Sequence, residues 1–488
     1  MFEYNNITNV LTESVFCDRI LFRLRQHRVR KHLRLLSIER AGATLCVPLL
    51  LKPWHGTVRT NYLWMRRDIT MSNKKNTAKI VTLILMILSL NTIYQLPYLM
   101  YYYYTPLQEA MGLVGRDADY GSLLNFYGLM NVVLYIPGGW IADKFSAKWL
   151  MVFSMVGTGV LGLWESTFPS YETLKIIFAL YAVTTVLTFW SASIKCINLV
   201  AASDEQGGMF GALEAGRSVC GLLVTTLFTT IYAANAADSG VAMGTIIRVC
   251  GFIMIGVGVL LAVFMPVPKD VEYTNKSLLD SFKAVFSAFK LPVTYLLAGL
   301  IFAGSLTGAA ASYYAPYMTN VLGLPQTVAI IFTNYRGIVC GLIGASTAAL
   351  MATKFGRSSK PLLLFASIWV SCYIVMWLLP GTAAVMWPVL IITVLASLCH
   401  STFRALYYAI IEECGTPKTQ VGSVIGLASI LGFLPDTFYS TMCGSWLQTY
   451  GEGAYKMIWA TCIGAVALGL VCAVITDRKI VAFRKAQG

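Results

Sequence analysis

YYTP at residues 103–106 and YYAP at residues 313–316 stand 210 residues apart in a chain of 488. The match is not isolated. Asn125-Phe126-Tyr127-Gly128 returns as Asn334-Tyr335-Arg336-Gly337 at an offset of 209, and Ala142-Asp143-Lys144-Phe145 returns as Ala352-Thr353-Lys354-Phe355 at 210. Lys195 and Asp204 answer to Arg404 and Glu413 at 209, and Gly211 with Gly221 to Gly422 with Gly432 at 211. Echoes kept in chain order with so little drift mark an internal duplication, and that decides the architecture before any site is considered.

Each copy is a string of apolar segments. Hydrophobic residues make up 57% of the chain and charged residues 12%, the latter about half of the roughly 25% usual in soluble domains. Apolar runs near the ~20 residues needed to cross roughly 30 Å of hydrocarbon fall at residues 79–105, 119–140, 147–165, 173–200, 207–233, 241–266, 291–319, 326–351, 361–379, 383–410, 420–447 and 455–476. The expected fold is an all-α membrane protein: twelve transmembrane helices in two pseudo-symmetric six-helix halves, 71–266 and 291–488, joined by a cytoplasmic linker at 267–290. Helices are expected because a bilayer offers no partner to open backbone polar groups, and nothing here alternates as barrel strands do. An even number of spans per half makes the repeat parallel, about an axis along the membrane normal.

The net charge of +14 is placed by topology, which argues against a nucleic-acid partner. Of 37 Lys and Arg, 12 lie in residues 1–70, five in the interiors of predicted spans and 20 at span ends, in loops and in tails. With the segment around Met71 cytoplasmic, only Arg116, Lys175 and Lys456 of those 20 fall on the far side. This positive-inside bias puts both ends of the bundle in the cytoplasm. Residues 1–70, with FRLRQHRVRKHLRLLSIER at 22–40, read as a basic extension upstream of Met71, where a short basic lead enters the first span. They are left out of the fold argument as an expected upstream extension. Ten cysteines, Cys196 to Cys472, lie in or beside apolar spans without paired Cys-x-x-Cys spacing. They read as packing residues, and no metal site is expected. The repeated tyrosines sit at the end of the first span of each half, where two readings stay open: an aromatic belt at the lipid interface, or the lining of a cavity.

Two halves of six spans, with GGWIADKFSAK at 138–148 between the second and third spans, resemble the major facilitator superfamily. Of that family's Gly-x-x-x-Asp-Arg/Lys-x-Gly-x-Lys/Arg loop, Gly139, Asp143, Lys144 and Lys148 match, while Ser146 replaces the usual glycine and Ala147 a usual cation. MATKFGRSSK at 351–360 is a weaker copy with Thr353 in place of the acid. The resemblance implies a conformational latch at these four residues: an acid at a helix end docks on another helix's positive N-terminus and is released when the halves rock. The stretch at 189–218, FWSASIKCINLVAASDEQGGMFGALEAGRS, looks like the sugar-phosphate permease branch of bacterial permeases, which implies an inner-membrane location. Organophosphate members of that branch use paired cations from the first span of each half, and the interiors of 79–105 and 291–319 carry none.

Ionisable side chains at a helix centre cost about 2.5–3.5 kcal/mol each on insertion scales, so those retained are functional candidates. Lys195, Arg217, Arg248, Arg336 and Arg404 face only Glu214 and Asp436, with His400 the one histidine after Met71. Arg336 is the leading anion-binding candidate, because a guanidinium forms paired bonds to carboxylate, sulfonate or phosphate oxygens. Arg217, Lys195 and Arg404 join it, with uncharged contacts from Asn334, Tyr335, Asn125, Tyr127, Gln95 and Asn91. Glu214, Asp436 and His400 are the candidate proton carriers. Asp436 follows Pro435, where proline frees a backbone carbonyl and opens the helix. Glu214 and Arg217, three apart, could instead neutralise one another.

The expected function is secondary active transport of a small organic anion, a sugar phosphate, sulfonate or carboxylate, by alternating access coupled to protons or anion exchange. A proton symporter for a neutral sugar or nucleoside is the alternative, and a transporter-like membrane sensor a third. The chain has no Gly-x-x-x-x-Gly-Lys-Ser/Thr loop and no large soluble domain, so neither ATP-driven transport nor an enzyme is expected. No cofactor is expected. The expected partners are the solute and the lipid bilayer, and the protein is expected to act as a monomer.

Overall fold

The structure is a computed structural model that describes residues 79–200, 206–266 and 278–487, and every regular element among them is helical. Residues 75–488 form one compact unit. The basic extension 1–70 and residues 267–277 of the linker lie outside the described residues. The helices are α1 Lys79–Thr92, α2 Tyr104–Ala110, α3 Asp117–Lys144, α4 Ala147–Glu165, α5 Tyr171–Ala182, α6 Ser191–Val200, α7 Gln206–Ala234, α8 Ser239–Phe264 and α9 Leu278–Ser287. They continue as α10 Pro292–Ala310, α11 Tyr314–Asn320, α12 Gln326–Phe355, α13 Ser359–Leu378, α14 Met386–Leu406, α15 Ile410–Glu413, α16 Lys418–Gly432, α17 Tyr439–Tyr450 and α18 Ala454–Gln487.

Nine stretches among the described residues are long and apolar enough to cross a membrane. The span expected at 147–165 coincides with α4, but two others are broken. The run expected at 79–105 stops as α1 at Thr92, passes through turns and a 3-10 turn at Leu99–Tyr101, and resumes as α2. Pro97 lies in the break, where it withholds an N–H and disfavours helix at the residue before it. The run expected at 420–447 divides around Pro435 into α16, a 3-10 turn at Leu434–Thr437, and α17. Between α5 and α6 the chain widens into a π-helical stretch, Val183–Trp190. There the Thr188 hydroxyl donates to the carbonyls of Val183 at 3.1 Å and Thr184 at 3.2 Å, the side-chain competition that loosens a helical ladder.

The two copies of the tyrosine motif stand in matching elements. Helices α2 and α11 each have seven residues, begin at the second tyrosine of their motif, and follow a 3-10 turn. The aromatic-belt reading of these tyrosines fails, because Tyr103, Tyr104, Tyr313 and Tyr314 are 2%, 6%, 1% and 1% exposed. Only Tyr102 of the run is open. The Tyr104 ring meets Tyr120 at 4.9 Å and Tyr313 of the other repeat at 5.2 Å. The outward apolar surface comes from other residues, among them Trp149, Leu223, Phe252 and Trp387.

Residues of the two repeats meet at the end of the bundle that carries Asp117. Helix α3 runs antiparallel to α17 so closely that a Cβ on Gly121 would run into the Ser440 carbonyl oxygen, and one on Gly444 into that of Asp117. Midway along α3, a Cβ on Gly128 would run into the Asp436 carbonyl oxygen. Between these glycines the Asn125 amide donates to the Thr441 hydroxyl, and Tyr313 donates to the Ser440 carbonyl at 3.2 Å. A second seam joins α7 to α12, where Asn334 donates to Thr229 at 3.4 Å and Tyr335 to Thr226 at 3.1 Å.

Candidate functional site

The Pro435 break points to the first site. It leaves Asp436 in a 3-10 turn rather than in a helix, with one carboxylate oxygen accepting from Ser305 of α10 at 2.7 Å. Across the join between repeats, Asp436 is an electrostatic neighbour of Tyr98, Tyr101 and Tyr127, and Arg404 is its neighbour on its own side. Arg404, at the end of α14, is exposed and also reaches the field of Tyr98 and Tyr102. The tyrosines form a ladder: Tyr98 is 5.3 Å from Tyr101, 5.4 Å edge-on from Tyr127 and 6.4 Å from Tyr94, which meets Trp190 at 6.4 Å. Tyr127 is fixed by a 2.9 Å bond to the Thr185 hydroxyl, and Tyr94 donates to the Thr185 carbonyl at 3.3 Å. A carboxylate, a cation, a hydroxyl and several aromatic faces thus converge where the repeats meet.

Arg336 lies elsewhere, buried in α12. Its guanidinium sits 4.6 Å over the Tyr314 ring and donates to the Ser397 hydroxyl and, at 3.4 Å, to the Thr393 carbonyl. It forms no ion pair among the described residues, and its buried Nε has no hydrogen-bond partner. Tyr314 belongs to an aromatic group with Trp459 at 5.4 Å and a hydroxyl contact to Tyr373 at 3.1 Å. Arg336 and Arg404 both lie within the field of His400, but their partners differ: those of Arg336 belong to the second repeat, whereas Arg404 also reaches Tyr98 and Tyr102 of the first.

The remaining candidates spread further. Asn125, Asn334 and Tyr335 lie in the seams described above. Asn91 donates to the Arg217 carbonyl at 3.0 Å, and Gln95 to the Asn91 carbonyl at 3.2 Å. Lys195 donates to the Ala142 carbonyl at 2.7 Å, a cap on the last turn of α3 that suits a cation at a helix C-terminus. His400 is packed edge-on against Trp369 at 5.3 Å, with Nδ1 3.4 Å from the Thr307 hydroxyl. The side chain of Glu214 lies outside the described residues.

At the other end of α3, Asp143 and Lys144 are exposed. The Lys144 ammonium sits 4.4 Å over the Trp140 ring, and Lys148 donates to the Met265 carbonyl at 2.8 Å. Gly139 meets nothing within 4 Å of where a Cβ would stand. In the second repeat the corresponding corner is tied: Arg357 pairs with Asp477 at 3.2 Å, Glu413 accepts from the Ser358 backbone N–H at 2.8 Å, and Arg484 donates to the Gly356 carbonyl at 2.9 Å.

Sequence reasoning missed Ser305, the tyrosine ladder and the glycine seam. Ser305 carries no charge to draw notice, and the ladder joins residues far apart in the chain. The seam had a faint signal in Gly121 and Gly128, seven apart and so on one helix face. Among the described residues no group of three His, Cys, Asp or Glu side chains comes together.

The Major Facilitator Superfamily pattern matches residues 80–438. Inner membrane protein YqcE of Escherichia coli (strain K12) is 28% identical over 407 residues, covering 80% of this chain and 92% of that protein. Inner membrane protein YihN of the same organism is 23% identical, covering 80% and 93%. Among solved structures, a mutant of the nucleoside transporter NupG superposes with a TM-score of 0.61 at 13% identity, covering 82% of this chain and 99% of that one. A bacterial homologue of the human lysosomal transporter Spinster, inward-facing and occupied, gives 0.60 at 13%, covering 84% and 97%. With a matching pattern over most of its length, a membrane-crossing helical bundle and a polar site where its repeats join, the chain belongs to the Major Facilitator Superfamily, as a secondary active transporter, not an enzyme, that moves a small molecule by alternating access.

Proposed function

We propose that the chain is a proton symporter for a neutral, ring-bearing polar solute, a sugar or a nucleoside, in a bacterial inner membrane. Twelve crossings complete the bundle: the first eight apolar stretches, α18 from the ninth, α1 with α2, α3, and α16 with α17. They form two pseudo-symmetric halves with the Asp117 end outside and the Asp143 end cytoplasmic. The seams then close the outer side, so this conformation faces inward, and the exposed Asp143 is a latch in its released position.

The observation that carries the substrate class is the ladder of tyrosine faces beside Asp436. Flat aromatic faces with hydroxyl and amide groups nearby suit stacking on a sugar or base and hydrogen bonding to its hydroxyls. Lys195 is spent on a carbonyl and Arg336 on Ser397, Thr393 and Tyr314; Arg404, the cation beside Asp436, orients the solute, Arg217 stands in the field of Tyr94 at the other end of the ladder, and Asp436 carries the proton. The two E. coli relatives are named as inner membrane proteins and NupG as a nucleoside transporter, in keeping with this reading.

A small organic anion is the second reading, favoured by one observation: Arg336 has no acidic partner among the described residues, and its Nε and the Asn334 Oδ1 are buried without hydrogen bonds. Its binding group would be Arg336, Arg217 and Asn334, and the branch it resembles that of the sugar-phosphate permeases.

The test is a thermal-shift screen of purified protein against nucleosides, sugars, sugar phosphates, sulfonates and carboxylates, followed by uptake of each stabilising compound into sealed vesicles. Only a bound compound stabilises by mass action. Stabilisation and proton-driven uptake of a neutral compound support the first reading. Stabilisation by anions alone replaces it with the second, and binding without flux makes the protein a sensor.

A further inference from the structure

The N-terminal repeat holds a carboxyl group that no transport role above uses. Glu165, the last residue of α4, is 0% exposed. Tyr181 of α5 donates to its Oε2, while Oε1 is buried and has no partner. The hydroxyl of Tyr120, also 0% exposed, is a second buried polar group without a partner, and it lies within the field of Glu165. The ionisable groups facing Glu165 from the helices around it are Tyr181 on α5, Tyr120 on α3 and Cys250 on α8, with Asp117 beyond Tyr120. None is a cation, and Glu165 makes no ion pair among the described residues. Arg248, the nearest arginine along α8, is exposed and turned to Thr245. A carboxylate left dry with one hydrogen bond and no counter-charge is costly, whereas a carboxylic acid is not.

The wall between Glu165 and the seam is built from the repeated tyrosines. Tyr120 stands edge-on to Tyr104 at 4.9 Å; Tyr104 donates to Asp117 at 3.1 Å and meets Tyr313 of the other repeat at 5.2 Å. The Asp117 carbonyl is the group against which Gly444 closes. Parting α3 from α17 takes Tyr313 and Gly444 away from the outer side of this wall and opens a path for water past Tyr120 toward Glu165.

We propose that Glu165 is a proton-binding site of the outer gate: it holds its proton while the seam is closed and gives it up to outside water when the seam opens. This rests on the assignment of the Asp117 end as the outer one. The sign follows from linkage: the closed state binds the proton more tightly, so raising the pH favours opening and lowering it favours closure. The proton returns to the side it came from, so Glu165 sets the pH range of the gate, whereas Asp436 sets the stoichiometry.

The experiment measures the distance between spin labels at Val114 and Glu452, one in each repeat at this end, in reconstituted full-length protein from acidic to alkaline pH. The wild-type distribution is expected to lengthen as pH rises. Glu165→Gln, neutral at every pH, is expected to stay closed and lose that dependence; a pH response equal to the wild type's overturns the proposal. If Glu165→Gln does not fold, Tyr181→Phe removes the single donor to the ionised form in the closed state, so the alkaline distribution is expected to shift further toward long distances than the wild type's; a pH response equal to the wild type's overturns the proposal. Proton uptake per solute, measured in the same vesicles, is expected to be equal in wild type and Glu165→Gln. Its absence in both refutes proton symport while the gate stands, and its loss in the variant alone makes Glu165 a coupling residue and overturns the gate.

Discussion

At the scale of single residues, Asp436 and Arg336 separate the competing accounts. Asp436 has one hydroxyl partner, Ser305, and a cationic neighbour in Arg404. Asp436→Asn keeps the Ser305 hydrogen bond but cannot cycle a proton, so concentrative uptake is expected to fall at least about tenfold while solute exchange across the membrane persists; a tenfold effect corresponds to about 1.4 kcal/mol. Equal loss of both would make Asp436 a binding residue. For Arg336 the expectation differs. Under the neutral-solute reading, Arg336→Lys loses the planar stack on Tyr314 and the fork to Ser397 and Thr393, so thermal stability drops with little change in apparent affinity. An affinity loss of about tenfold or more with unchanged stability would move the binding site to Arg336 and revive the anion.

At the scale of elements, the seam between α3 and α17 is a close approach that only glycine permits. A Cβ at Gly128 or Gly444 would meet a carbonyl oxygen well inside van der Waals contact, and that oxygen is backbone, unable to move aside alone. Gly444→Ala is therefore expected to hold the seam apart, raising the accessibility of this end to a water-soluble thiol reagent and cutting uptake several-fold. Uptake equal to the wild type's would show that the seam has slack. Gly139 serves as the control: nothing lies within 4 Å of its added Cβ, so Gly139→Ala is expected to leave the accessibility of the seam unchanged. The helix breaks belong to this scale too. Pro97 and Pro435 interrupt elements of the two repeats that converge on Asp436, which places irregular backbone inside protein rather than against lipid, as a bilayer requires.

At the scale of the whole molecule, alternating access requires the two repeats to move against each other. The Asn125 amide and the Thr441 hydroxyl touch across the seam. Cysteines at both positions are expected to form a disulfide under mild oxidation that abolishes uptake, with activity restored by reduction. Full uptake in cross-linked protein would mean that this end need not open. The corner built from Arg357, Asp477 and Glu413 is tied, while its counterpart at Asp143 is exposed. Under the latch role proposed above for Asp143, Asp143→Asn is expected to shift the population toward the conformation seen here, read as a change in the accessibility of the seam.

The helical class and the membrane setting were legible in the sequence because each is a property of periodicity and composition that holds wherever the chain goes. The site was legible only in part. Asp436 and Arg404 declared themselves as charges in apolar runs, since insertion cost singles out ionisable residues one at a time. What only the tertiary structure decided was company: which cation faces Asp436, which hydroxyl holds it, and that Arg336 is engaged within its own repeat. It also decided that four tyrosines turn inward and that Glu165, at a span's end and so passed over, is buried with one partner. Partners come from helices distant in sequence, so no local pattern encodes them, and for a charged group the partner fixes the role.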